Sequence, residues 1–136
     1  MASILKVDDL RGNTAAGNIT ITSEGGAATM QLQQGLAKSW VNFNGTGTIA
    51  ARDSFNHSSL TDNATGDYTS TITNAMGNAN YSITSTASRY CSAIADATGF
   101  SRADPTTTSV RLVYAASGFS LSDGHYICIE FTGDLA

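Results

Sequence analysis

A chain of 136 residues suits one compact domain, or a small domain with an extended arm. Only 13% of its residues are charged and its net charge is −4, which excludes the basic surface that nucleic acids and anionic membranes require. Because this charged fraction is about half the usual share, Ser, Thr, Asn and Gly must supply most of the polar surface.

The beginning of the chain has none of the features of a signal peptide. Asp8 and Asp9 interrupt residues 1–10, and these residues contain no apolar run of the required length. No other segment approaches the ~20 apolar residues that a membrane span needs. We therefore expect a protein that folds in the cytoplasm where it is made and does not insert into a membrane.

The first third of the chain contains two strand candidates and one segment with two interpretations. Residues 4–7 form a short apolar run, and residues 18–22 alternate apolar and polar side chains with the period of two that is typical of strands. Residues 30–40 have apolar side chains near helical spacing, but Gly35 interrupts them. We interpret this segment as a short turn of helix or an extended link.

The middle of the chain alternates between short strands and turns. Residues 40–44 alternate apolar and polar side chains, and Gly-Thr-Gly at 45–47 then predicts a hairpin turn. Residues 62–67 predict a further turn, in which Asx side chains cap the backbone and Gly66 adopts a positive φ. The remaining strand candidates in this region are residues 48–53, 55–60, 68–73 and 81–84.

The final third contains two clear strand candidates, residues 109–114 and 125–131, with a turn signal at 122–124 between them. Strands that recur about every 8–12 residues are typical of antiparallel sandwiches and barrels. The sequence therefore predicts an all-β fold, either an antiparallel β-sandwich or a barrel.

The aromatic residues divide the chain into two regions. Every Trp, Tyr and Phe lies at Trp40 or later, and the preceding residues are rich in Gly, Ala and Thr. We predict a β-sandwich domain over residues 36–136 and an extended N-terminal arm over residues 1–35. Most aromatic side chains should lie in the core or at a subunit interface, while a few exposed tyrosines would be able to stack on sugar rings.

Cys91 and Cys128 are the two cysteines of the chain, and their spacing fits no zinc pattern. Cys128 lies within the apolar run 126–129, which is typical of a buried strand. We interpret both residues as reduced core thiols. A disulfide between them is the alternative, and it requires opposed positions on neighbouring strands.

Patterns that would indicate catalysis or metal binding are weak. His57 and His125, the two histidines, have no Cys, His or Glu at metal-ligand spacing, which favours surface or interface roles over a metal shared between subunits. Glycan hydrolysis needs paired carboxylates, but Glu24 and Glu130 are the only glutamates, and Glu130 should point away from its two apolar neighbours. We expect no enzymatic activity, no bound metal and no cofactor.

A small cluster of Asx residues, Asp62, Asn63 and Asp67, raises the possibility of calcium. Its spacing does not match an EF-hand loop. An Asx turn explains the cluster without an ion, and calcium is the alternative.

Six short segments carry a resemblance to a known family. They are KSWVNFNGTG at 38–47, IAARDSFN at 49–56, LTDN at 60–63, TGDYT at 65–69, FTGD at 131–134 and ILKVD at 4–8. Together they resemble a module found in tail-fibre and tail-fibre-like proteins of bacteriophages. The resemblance is dense over residues 38–85, weaker at the end of the chain and thin over residues 86–107.

This resemblance implies a trimeric structural protein of the virion, a short tail-fibre-type component involved in host attachment. Its C-terminal domain would face a surface glycan or protein of the host, and its N-terminal arm would dock on other virion proteins. A chain of 136 residues lacks the long shaft of a typical fibre. A capsid decoration or head-fibre protein that stabilises or displays on the shell is therefore the alternative, and a carbohydrate-active enzyme is a weaker third.

The apolar residues near the start of the chain are the candidates for virion anchoring. They alternate imperfectly and would be able to insert into a partner as an added strand. These residues are Ile4, Leu5, Val7 and Leu10. The sequence assigns no residue to receptor binding.

Overall fold

A computed structural model of the chain describes residues 4–15, 18–23, 25–88, 104–115 and 120–136. The regular secondary structure of these residues consists of nine β-strands, which confirms the predicted all-β class. The strands are β1 (Thr20–Thr22), β2 (Thr29–Gln31), β3 (Ala37–Asn44), β4 (Ala50–Phe55), β5 (His57–Ala64), β6 (Asp67–Ile72), β7 (Ser82–Ala87), β8 (Ser109–Val113) and β9 (Ile127–Thr132). The chain divides into two compact units, Met1–Leu36 and Ala37–Ala136.

The N-terminal unit contains one hairpin, in which β1 and β2 pair antiparallel. The Ser23 amide donates to the Ala28 carbonyl at 2.8 Å and closes the turn between them. Residues 4–7 belong to no strand, so the strand predicted there is wrong. A short apolar run forms a strand only where a partner edge supplies its hydrogen bonds. The predicted boundary lies one residue before the division between the units, and the anchoring role of residues 1–35 stays a prediction.

The C-terminal unit is a sandwich of two antiparallel sheets. One sheet has four strands in the order β4-β3-β9-β7, and the other has three strands in the order β5-β6-β8. β3 and β9 are the central pair of the first sheet, with Val41 opposite Ile129. β6 is the centre of the second sheet, between β5 and β8.

The hydrophobic core lies between the two sheets. Phe43 of β3 and Tyr68 of β6 meet there edge to face, with ring centroids 5.3 Å apart. Around this pair lie Val41, Ile72, Met76, Val110, Leu112, Tyr114, Ile127, Ile129 and Phe131, all buried. Because burying a side chain of this size contributes about 1.5–3 kcal/mol, this core is what holds the two sheets together.

The hairpin turn predicted at residues 45–47 is confirmed between β3 and β4. The side-chain oxygen of Asn44 accepts hydrogen bonds from the backbone amide of Thr46 at 3.2 Å and from its hydroxyl at 2.8 Å. Gly47 has a φ of 68°, a conformation that glycine adopts without steric cost. The local sequence is thus sufficient to reverse the chain at this point.

The turn predicted at residues 62–67 is shorter than expected. Gly66 has the predicted positive φ, at 68°. However, Asp62 pairs with Tyr68, and β5 continues to Ala64, so only residues 65 and 66 form the turn. The pairing of β5 with β6 supplies backbone hydrogen bonds that the Asx side chains would otherwise have to provide.

Residues 30–40 form neither the helical turn nor the extended link that the sequence suggested. β2 ends at Gln31, residues 32–35 form a turn, and β3 begins at Ala37. The start of β3 pairs with β9, with Ala37 opposite Thr132 and Ser39 opposite Phe131. This pairing joins segments that lie more than 90 residues apart in the sequence, so a pattern of neighbouring residues does not predict it.

Candidate functional site

The predicted virion-anchoring residues all lie in the N-terminal unit and are exposed to solvent. Their exposed fractions run from 78% for Ile4 to 50% for Leu10, with Leu5 and Val7 between these values. The structure places none of the four in a strand. Their part in anchoring stays a prediction.

The two histidines lie in different environments, and neither has the geometry of a catalytic base. His57 is half-buried, and its Nδ1 lies 3.3 Å from the hydroxyl of Ser70, which is fully buried. Its Nε2 is buried without a hydrogen-bond partner, and burial lowers the pKa of the ring. Since neither ring nitrogen contacts a carboxylate, His57 and Ser70 lack the third group that orients a nucleophile–base pair. His125 is exposed and contacts the Tyr126 ring edge to face, with centroids 4.8 Å apart.

Two residues of the Asx cluster, Asn63 and Asp67, belong to a side-chain network with Arg111 rather than to the backbone caps that the sequence suggested. The guanidinium of Arg111 contacts both carboxylate oxygens of Asp67, with its Nε 2.8 Å from Oδ1. Asn63 donates from its amide to the same Oδ1 at 3.2 Å. These hydrogen bonds, Arg111 first, lower the pKa of Asp67. Among the described residues, no group of three or more His, Cys, Asp or Glu has a geometry suited to a metal ion.

The outward side of the four-stranded sheet carries an unusual mixture of side chains. Opposed positions form two rows across its four strands, and we call their eight residues the polar–aromatic face. The rows are Phe55–Trp40–Glu130–Thr84 and Asp53–Asn42–Cys128–Thr86.

Strict alternation along the strands explains why these side chains point outward. In β9 the buried residues are Ile127, Ile129 and Phe131, so Cys128 and Glu130 face away from the core. The outward direction predicted for Glu130 is therefore confirmed. The interpretation of Cys128 as a core thiol is wrong, because this residue is half-buried on the outer face, where it carries a free thiol. Cys91 and Glu24 lie outside the described residues.

A hollow of about 350 Å³ lies on the polar–aromatic face. Six of the eight residues of the face border it. Val41, which lies between Trp40 and Asn42, and Ile129, which lies between Cys128 and Glu130, border it as well. Trp40 is half-buried beside the hollow, and Phe55 next to it is 54% exposed. The face thus combines aromatic surface with carboxylate, amide and hydroxyl groups around one depression.

One end of the face is braced by a cation–π contact. The Arg52 guanidinium lies 4.0 Å from the centroid of the exposed Tyr126 ring. It also donates to the His125 carbonyl at 2.7 Å and to the side-chain oxygen of Asn42 at 3.4 Å. Since the arginine joins β3, β4 and the segment before β9, it fixes Tyr126 at the edge of the face.

Part of this face was predictable from the local pattern of β3. Residues 40–44 were predicted to alternate, and that alternation already separates Trp40 and Asn42 from Val41 and Phe43. Which residues of β4, β7 and β9 stand beside them depends on strand register. The prediction that a few exposed tyrosines stack on sugar rings named no residue; of the described tyrosines, Tyr126 is exposed and Tyr68 is fully buried.

Comparison with known proteins gives no match. No family model, no curated protein and no solved structure matches the chain. Within the described residues there is also no helix long and apolar enough to cross a membrane. The chemistry of the polar–aromatic face is therefore the main basis for a functional proposal.

Proposed function

We propose that this chain is a structural virion protein of a bacteriophage, a short tail-fibre-type component that takes part in host attachment. The observation that carries the proposal is the polar–aromatic face, which presents a preformed depression on a packed β-sandwich. Binding sites of this kind combine aromatic surface with a few placed polar groups. The resemblance of residues 38–85 to tail-fibre modules supports the same function.

In the part of the chain that the structure describes, the placement of the carboxylates and histidines favours binding over catalysis at this face. The carboxylates of the face belong to Glu130 in one row and Asp53 in the other, on strands separated by β3. Neither histidine contacts a carboxylate, and His57 faces the buried Ser70 rather than the hollow. A preformed surface without an activated nucleophile suits recognition of a ligand that is left unchanged.

The exposed apolar residues near the start of the chain support attachment to a larger assembly. Ile4 and Leu5 each expose about three quarters of their side chain, at 78% and 75%. Exposed apolar groups on a short segment suit docking as an added strand or peptide on another virion protein. Such docking fits a capsid shell as well as a tail, so a decoration or head-fibre protein is the second candidate.

Cryo-electron microscopy of the intact virion tests this proposal by locating the chain and counting its copies. Trimers confined to the tail are the expected result for a short fibre. Density repeated over the capsid lattice would select the decoration protein instead. Absence of the chain from purified particles would refute both candidates.

A further inference from the structure

We infer that the polar–aromatic face binds an uncharged saccharide, with one pyranose ring stacked on Trp40 and its hydroxyl groups bonded by Asn42, Thr84 and Glu130. The inference rests on the proposed function and names the ligand class of its attachment surface. It stands on the arrangement of the side chains, the charge of the face and the size of the hollow.

The arrangement places hydrogen-bonding groups directly beside an aromatic ring. Trp40 is half-buried at the border of the hollow, so one part of the indole packs on the protein and the rest is accessible. Glu130 on β9 is its cross-strand neighbour, and Thr84 on β7 follows in the same row. Directly opposed side chains stand about 5 Å apart, which is the scale of one sugar ring. An apolar ring face with polar groups at its rim matches a pyranose, whose C–H face is apolar and whose edge carries hydroxyls.

The polar groups of the face match the bonding capacity of sugar hydroxyls. An ionised Glu130 only accepts hydrogen bonds, whereas the Asn42 amide and the hydroxyls of Thr84 and Thr86 both donate and accept. A sugar hydroxyl donates one hydrogen bond and accepts up to two, so it can use all of these groups. A peptide strand would instead seek the free backbone groups of a sheet edge, and the hollow lies on the face of the sheet.

The charge of the face favours an uncharged sugar. Glu130 and Asp53 place two carboxylates on it, and these would repel the carboxylate of a sialic or uronic acid. Arg52, at the end of the face, is held by the His125 carbonyl, the Asn42 side-chain oxygen and the Tyr126 ring, and it does not border the hollow, whereas Glu130 does. An uncharged saccharide has no anionic group that these carboxylates would repel.

The size of the hollow and the charge of the face favour a saccharide over a second copy of the chain as the ligand. About 350 Å³ lies at the lower end of the range for small-molecule sites, roughly 300–1,000 Å³, and suits one or two sugar units. A second copy docked through the same face would place the carboxylates of Glu130 and Asp53 from both copies in one interface, while interface cores are depleted in charge. The face therefore fits a small polar ligand better than it fits itself.

Trp40 is the only tryptophan of the chain, so its emission, excited at a wavelength that tyrosine does not absorb, reports on this face alone. The full chain would be titrated with lactose, maltotriose and triacetylchitotriose as uncharged probes, and with sialyllactose as the anionic counterpart of lactose. We expect a saturable change in Trp40 emission with at least one uncharged probe. Sialyllactose should bind at least about tenfold more weakly than lactose, because its carboxylate meets like charges on the face.

Three variants and a matched control locate the site by calorimetry and saturation-transfer NMR. Trp40→Ala and Glu130→Gln should each weaken binding by about tenfold, and Thr84→Ala by about fivefold, since they remove stacking, a charge-assisted hydrogen bond and a neutral hydrogen bond. Thr61→Ala removes an exposed threonine from β5 of the other sheet and should leave binding unchanged. Circular dichroism of each variant checks that the sandwich is intact.

No saturable response to any of the probes would overturn the inference, as would equal weakening by Thr84→Ala and Thr61→Ala. Tighter binding of the anionic probe would overturn the assignment to uncharged sugars. Self-association that Trp40→Ala abolishes would reassign the face to a second copy of the chain. A chain that lies on the phage tail but binds no probe refutes only the inference, and a chain that binds a probe but is absent from virions refutes only the proposed function.

Discussion

His57 has a titratable ring whose surroundings offer no hydrogen-bond partner to a second ring proton. Its Nε2 is buried without a partner, while Nδ1 lies 3.3 Å from the hydroxyl of Ser70. Protonation would leave an N–H donor unsatisfied and a charge in partly apolar surroundings. Burial therefore lowers the pKa of His57 below its ordinary value of 6.5.

This lowered pKa predicts an acid-sensitive step in stability. Below pH 6.5 the unfolded chain binds a proton at His57 that the folded chain resists, so the free energy of unfolding decreases as the pH falls from 6.5 toward the lowered folded value. One proton limits the slope to about 1.4 kcal/mol per pH unit. Urea unfolding between pH 8 and 5 should show the step in the native chain and in His125→Gln, and should lose it in His57→Gln. The same slope in all three proteins would contradict the prediction.

The Asp67–Arg111 pair predicts a second, separate acid step. Hydrogen bonds from Arg111 lower the pKa of Asp67 below 3.8, so the pair stabilises the fold above pH 3.8 and loses that effect as the pH falls through the lowered value. At pH 7 Asp67→Asn should cost about 1–3 kcal/mol, because Asp67 is 7% exposed and Arg111 would lose its ionic partner. Asp9→Asn, which breaks the exposed pair with Arg11, is the control and should cost less than about 0.5 kcal/mol. Equal costs for the two variants would refute this account.

At the scale of elements, a single residue carries the chain from one sheet to the other. β4 ends at Phe55 in the four-stranded sheet, and β5 begins at His57 in the three-stranded sheet. Asn56 between them has a φ of 51°. Its side chain donates to the Lys38 carbonyl at 2.8 Å and accepts from the Asn74 amide at 2.8 Å. Asparagine suits this corner because it tolerates positive φ and supplies both hydrogen bonds.

Two substitutions at Asn56 separate its backbone role from its side-chain role. Asn56→Gly keeps the positive φ without strain but loses the side-chain hydrogen bonds, and should cost about 2 kcal/mol. Asn56→Ala loses the same bonds and adds the strain of a left-handed alanine, so it should cost about 1 kcal/mol more. Denaturant unfolding at one pH measures both values. A glycine variant less stable than the alanine variant would show that the backbone conformation is not the limiting factor.

Elements were predictable from the sequence where local chemistry decides them. Consecutive residues are sufficient to predict the turn around Gly47 and the strands with regular alternation, such as β3 and β9. Residues 4–7 and 30–40 were misassigned because an apolar run or helical spacing does not include the partner strand. The strand predicted over residues 55–60 ends four residues too early for the same reason, since the pairing of β5 with β6 extends β5 to Ala64.

At the scale of the whole molecule, the candidate site depends on register between distant strands. The row through Trp40 joins residues 40, 55, 84 and 130, which no local pattern relates. A shift of one residue in β9 would turn Glu130 inward and Ile129 outward. The all-β class and the outward direction of Glu130 were therefore predictable from the sequence. The set of residues that meet on the polar–aromatic face was not, because it depends on strand register.

One hydrogen-bond centre, formed by the buried Tyr68 and the exposed Asp123, links three distant segments of the sandwich. The Tyr68 hydroxyl lies 2.9 Å from Oδ1 of Asp123 and 3.1 Å from the carbonyl of Gly45, and the Gly66 amide donates to the same carboxylate oxygen at 2.8 Å. Burial and the neighbouring Asp123 raise the pKa of Tyr68, so its hydroxyl stays protonated as a donor. The centre therefore joins the β3–β4 turn, the β5–β6 turn and the segment that leads to Tyr126.

Substitutions at Asp123 test whether this centre holds the segment before β9 in place. Asp123→Ala removes the acceptor of the Gly66 amide and should destabilise the fold by about 2 kcal/mol, whereas Asp123→Asn keeps a side-chain oxygen and should cost less than about 1 kcal/mol. Hydrogen exchange should accelerate at the Gly66 amide in the alanine variant and stay slow in the asparagine variant. Because Arg52 bonds the carbonyl of the nearby His125, loosening of this segment should also weaken saccharide binding at the polar–aromatic face. Faster exchange at Gly66 with unchanged saccharide affinity would show that the face is held by its own sheet and not by this centre.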